Sequence, residues 1–109
     1  MLIHKNRLGD TKLSGKIMTI AKNIGKEAFI REKLMTMSRK NSFDFLFRAS
    51  CPTVVICGCQ DNLTPLAQHQ AMADAIPNAI LLAIQDSVHL SPIEQPHAVS
   101  GALRYWLQV

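Results

Sequence analysis

A chain of 109 residues with 48% apolar and 18% charged residues holds enough hydrophobic material for one small core, which excludes wholesale disorder and a second large domain. No apolar run approaches the roughly 18 residues that cross a bilayer, and the basic start from Met1 to Arg7 leads into no secretory-type apolar stretch, so a cytoplasmic protein with no membrane partner is expected. The net charge of +4 is unevenly placed: residues 1–50 carry eleven Lys or Arg against four Asp or Glu, residues 51–109 one against four, and the change falls just before Cys51-Pro52.

The first dozen residues are polar and patternless and read as a loose end. From Leu13 the apolar residues fall at Leu13, Ile17, Ile20, Ala21 and Ile24, the spacing of one helical face, and Gly25 supplies a stop. A second helix is predicted from Glu27 to about Met37, with Ile30, Leu34 and Met37 on one face. Ser38–Ser42 is a polar break, and Phe43, Phe45, Leu46 and Phe47 predict a short helical turn packed on a neighbour. Residues 5–40 hold ten Lys or Arg, but these are scattered over two amphipathic patterns rather than forming a run. A solvated helical surface explains them better than a nucleic-acid footprint.

The pattern then changes. Thr53-Val54-Val55-Ile56-Cys57 is continuous, apolar and β-branched, as in a strand covered on both faces of a parallel sheet. Gly58 ends it, and Thr64-Pro65 reads as an N-cap followed by a first-turn proline. Leu66, His69, Met72, Ala73 and Ile76 share one face of the helix that follows. Ala79–Ile84 is a second buried-type strand, and Ser91-Pro92-Ile93-Glu94 has the spacing of a capping box. Pro96 opens a last helix whose predicted buried stripe is Val99, Ala102, Leu103, Trp106 and Leu107. Strand, helix, strand, helix of this length predicts an α/β unit in which residues 53–57 and 80–84 pair in parallel through a right-handed crossover.

Functional residues of parallel sheets gather in loops beyond the carboxyl ends of the strands. Asp61 lies four residues past the first strand and His89 five past the second. Neighbouring strands are about 4.8 Å apart, so the two side chains can meet there. Singly, each has a bland explanation: Asp61 before Asn62 suits a turn, and His89 stands beside a capping box. Jointly they place a carboxylate where it can orient an imidazole whose second nitrogen stays free as a base. Cys51, Cys57 and Cys59 are odd in number and show neither a Cys-x-x-Cys pair nor a His-rich neighbour, so ordinary thiols and no cofactor or metal are expected.

The stretch Cys51–Gly58 followed by Asp61 and Leu63-Thr64-Pro65 resembles the acid strand and loop of the α/β-hydrolase family. Ile84–Pro96, with His89-Leu90-Ser91-Pro92 and Glu94-Gln95-Pro96, resembles that family's histidine loop, and the closing helix to Leu107 matches in pattern. Residues 13–48 resemble, more weakly, its helical cap. The resemblance implies a carboxy-terminal part of a parallel-sheet α/β-hydrolase fold, with residues 1–50 a cap-like helical segment and residues 51–109 core. It implies Asp61 as triad acid and His89 as general base in ester or related hydrolysis of a small-molecule substrate by the complete enzyme. The family commonly has glycine before its histidine; Val88 stands here, and a β-branched residue resists positive φ, so a reshaped loop is expected. Cys59 and Gln60 occupy places that are often charged, and Asp86 is a rival acid three residues from His89.

The family's nucleophile sits in a G-x-S-x-G elbow. None of the five glycines here flanks a serine in that way: Ser14-Gly15 lacks the first glycine and follows no strand, and Ser100-Gly101 falls inside the last predicted helix. Without nucleophile or oxyanion donors a base has nothing to activate. A truncated hydrolase, inert alone, is therefore expected. The alternatives are a split enzyme completed by an amino-terminal half on another chain, and a non-catalytic module that associates through exposed strand edges.

Overall fold

The computed structural model describes residues 2–109. Helix α1 (Thr11–Ile24) begins where the Asp10 carboxylate accepts from the Leu13 N–H at 3.0 Å, and ends at Gly25, whose φ of 81° suits glycine. Helix α2 (Lys26–Ser38) follows, and a 3₁₀ segment, Phe43–Arg48, leads to strand β1 (Val54–Gly58). Helix α3 (Leu66–Ala75) returns the chain to strand β2 (Ile80–Ile84), which precedes the short helix α4 (Ser91–Glu94) and the closing helix α5 (Pro96–Leu107). The strands pair in parallel, Val54 with Ile80 through to Gly58 with Ile84, as the two β-branched runs predict. Among the described residues no helix is long and apolar enough to cross a membrane.

The core is small. Val55 of β1 meets Ala73 of α3 and Ile76 just beyond that helix, and Leu46, Ala49, Met72, Ala79 and Leu81 close around them. One face of the sheet is thus covered by α3 and by the end of the 3₁₀ segment.

The structure departs from sequence expectation in several places. Residues 2–7 are not loose: Ile3 and His4 are buried, and a 3₁₀ turn at Lys5–Arg7 is closed by the His4 carbonyl. Their partners are mostly backbone groups far along the chain, which leave no side-chain pattern to read. The three phenylalanines of the 3₁₀ segment stay largely exposed while Leu46 enters the core, and the Arg48 guanidinium lies over the Phe45 and Phe47 rings at 5.4 and 5.5 Å. Only Ala102 of the expected α5 stripe is buried; among the described residues Leu103, Trp106 and Leu107 are left largely uncovered. The Trp106 indole N–H donates to the Pro52 carbonyl at 3.1 Å. Finally, Pro65 rather than Thr64 caps α3, and Thr64 is engaged elsewhere.

Gly58 shows how tightly the strand ends meet. A Cβ there would lie 2.2 Å from the Val88 carbonyl oxygen and 2.5 Å from that of Ser87, both backbone atoms that cannot swing away. Gly58→Ala is expected to lower unfolding free energy by about 3 kcal/mol, the upper end for overpacking. Gly15→Ala, inside α1 with nothing within 4 Å of its Cβ position, should raise it by about 0.5–1 kcal/mol through helix propensity. Urea unfolding of both variants checks the contrast.

Candidate active site

The acid loop begins where the β1–β2 ladder runs on past its strands. The Cys59 N–H donates to Ile84 O at 2.8 Å and the Gln60 N–H to Ser87 O at 3.0 Å. The Gln60 side-chain carbonyl accepts from the Ser87 N–H at 3.1 Å. Gln60 therefore ties the acid loop to the histidine loop through both backbone and side chain. Its type and position carried no sequence signal beyond departing from the usual charge.

Asp61 is buried, with its side chain 4% exposed. Its Oδ1 accepts from the N–H groups of Leu63 at 2.9 Å and Thr64 at 3.2 Å, and its Oδ2 accepts from the Thr64 hydroxyl at 2.8 Å. Asp61 thus forms its turn and meets the imidazole at once: the turn fixes one oxygen and leaves the other facing His89. His89 Nδ1 lies 3.0 Å from Oδ2. Burial alone would push the carboxyl pKa up, but hydrogen bonds from His89, Thr64 and Leu63 outweigh it and hold Asp61 below the ordinary 3.8. The carboxylate form is the one the loop is built around.

The His89 side chain is 39% exposed, so one edge of the ring meets Asp61 while the other faces outward. The ring pairs with Asp61 and not with the rival Asp86, which sits in a turn with φ of 52° and offers its backbone carbonyl to Gln95 and Arg7. Val88 itself does not take a positive φ. The positive φ falls at Asp86, and Val88 is buried with its N–H donated to Glu94 at 2.7 Å. The Glu94 carboxylate does not close a capping box, since helix α4 has no side-chain cap. It accepts instead from Val88, from the Ser87 hydroxyl at 3.3 Å and from the His4 backbone, with Arg7 3.6 Å away. The S-x-x-E spacing announced an acid at this position but not its partners.

Cys57 is buried in β1, and burial, with the nearby Cys59 and Asp61 charges, pushes its thiol pKa up, so it is a poor nucleophile. Beside the histidine loop a groove of about 480 Å³ opens, lined by Leu2, Ile17, Ile20, Phe29, Leu90 and Ile93 among others.

No protein-family model matches the chain. It is similar to RutD of Pseudomonas syringae pv. syringae (strain B728a), assigned as a carbamate hydrolase, at 37% identity over 62 residues, 57% of this chain and 24% of RutD. It is also similar to the structure of a thermophilic esterase from Thermogutta terrifontis, with TM-score 0.63 and 42% identity over 65% of this chain and 26% of the esterase. Est816, an N-acyl homoserine lactone degrading enzyme, matches 95% of this chain and 42% of its own with TM-score 0.71; at 22% identity that likeness is one of fold. The chain spans about a quarter of the length of RutD and of the esterase.

The lowered pKa of Asp61 makes a pH signature. The folded state gains from this carboxylate above about pH 4 and loses that gain as pH falls through the lowered value. Between pH 7 and pH 2, the gap in urea midpoint between the wild-type chain and Asp61→Asn should hold down to about pH 5 and then close. A gap that ignores pH would contradict the assignment.

Proposed function

We propose a function from one premise: this chain belongs to the α/β-hydrolase fold family and carries the carboxy-terminal portion of that fold. Asp61 and His89 are the orienting acid and the general base of a hydrolase site. The observation that carries this is the 3.0 Å contact between a buried, turn-held carboxylate and a half-exposed imidazole beyond adjacent carboxyl ends of parallel strands. Asp61 holds the proton on Nδ1 and leaves Nε2 to take a proton from a nucleophile. The residues numbered 1–50 act as a cap-like segment and 51–109 as core, and the apolar groove flanked by Leu90, the residue after His89, suits the apolar part of a small ester or related substrate. The activities of the two more similar relatives, a carbamate hydrolase and an esterase, are both hydrolyses at a carbonyl carbon.

Nothing in the 109 residues offers a serine on a G-x-S-x-G elbow. The purified chain is therefore expected to hydrolyse p-nitrophenyl esters no faster than free imidazole does. Saturable turnover lost on His89→Ala would overturn this incompleteness. Supplied with an amino-terminal half bearing the elbow, activity should appear, vanish with His89→Ala and fall roughly 10⁴-fold with Asp61→Asn.

A second reading, a subunit completed by a partner chain, is favoured by the apolar side chains left outside. Leu103 and Leu107 of α5 are 47% and 74% exposed, and the two-stranded sheet has free edges. Sedimentation velocity of the chain alone should show mass rising with concentration and little weakening in high salt. A compact monomer at all concentrations would contradict it.

A further inference from the structure

Glu94 is a buried carboxylate that the acid–base pair does not use, and its side chain is 0% exposed. Its polar contacts among the described residues are all with donors: the N–H of Val88, the hydroxyl of Ser87, the backbone N–H of His4 and the Arg7 guanidinium. A charge so enclosed survives only when both oxygens are satisfied, and here both are. The contacts also have a direction. Val88 immediately precedes His89, while the N–H groups of His89 and Leu90 both donate to the Leu2 carbonyl, at 3.2 and 3.1 Å. Three successive backbone N–H groups, at 88, 89 and 90, are thus held by one carboxylate and one carbonyl. The carboxylate in turn holds the segment that supplies the carbonyl, through His4 and Arg7. Glu94 and the strap of residues 2–7 form one unit that pins the backbone on both sides of the His89 Cα.

We propose that Glu94 is a positioning residue for His89: with the strap of residues 2–7, it fixes the histidine loop so that the imidazole presents Nδ1 to Asp61 and keeps Nε2 free. This rests on His89 as the base of the proposed site. Its test reads the state of the ring rather than turnover, so the two can fail separately. A carboxylate serving only as packing would alter stability and leave the ring's tautomer alone. An amide in its place keeps the shape but turns an NH₂ toward a ring of donors.

The experiment is long-range ¹H–¹⁵N correlation of the histidine rings of the full chain at alkaline pH, with His89 assigned by its loss in His89→Gln. The unaltered chain should show His89 as a single Nδ1–H tautomer. Glu94→Gln, with its backbone amide spectrum and cooperative unfolding retained, should convert that signal to a near-equal mixture of tautomers. An unchanged Nδ1–H signal in folded Glu94→Gln overturns the proposal and leaves the Asp61–His89 pair standing. Absence of the Nδ1–H tautomer from the unaltered chain overturns both. Should Glu94→Gln not fold, His4→Pro removes one of the four donors at a residue whose φ of −64° proline adopts, and His4→Ala keeps that N–H. The signal should blur in His4→Pro and persist in His4→Ala, and equal behaviour in the two overturns the proposal.

Discussion

Parallel strands exchange evenly spaced, slanted hydrogen bonds, and in this chain that ladder continues beyond the strands into the loops that follow them. The bonds from Cys59 to Ile84 and from Gln60 to Ser87 bring two irregular segments to the spacing of a sheet. This works because residue 58 has no side chain: the Ser87 and Val88 carbonyls occupy the space where a Cβ would stand. Everything at the candidate site depends on that approach. Asp61 needs the acid loop held down, His89 needs its loop held across, and neither loop has regular structure of its own to do it.

The price of bringing loops together is buried polarity. Asp61, Ser87, Ser91, Glu94 and His4 are all buried, yet among the described residues no buried side-chain nitrogen or oxygen lacks a partner. The apolar core around Val55, Ala73 and Ile76 lies to one side of this network. Packing thus fixes where the strands are, and hydrogen bonding fixes where the loop side chains point. A network of this kind admits few alternative arrangements, since each donor moved leaves an acceptor unsatisfied.

That division explains what the sequence could disclose. The strands were legible because continuous β-branched runs have few other uses, and α1 because the spacing from Leu13 to Ile24 and Gly25 supply its face and its stop, while its Asp10 cap went unread. The meeting of Asp61 with His89 was legible because loop lengths past parallel strands set a short list of side chains that can touch. The part of Glu94 was not, since the spacing Ser91–Glu94 fits a capping box equally well and only tertiary contacts decide between them. Nor was the strap legible, because Leu2 acts through its carbonyl, which every residue possesses. The α5 stripe was read correctly as apolar and wrongly as buried: periodicity reports which face is greasy, not whether anything covers it.

The three thiols sit at graded depths along this same architecture. Cys51 is exposed just ahead of β1, Cys59 is half-covered just after it, and Cys57 is buried within it with its thiol held protonated. An alkylating reagent therefore meets them in an order set by structure. Modification of Cys57 must wait for β1 to part from its surroundings, so its rate measures how often the sheet opens, while Cys51 records only the passage of time.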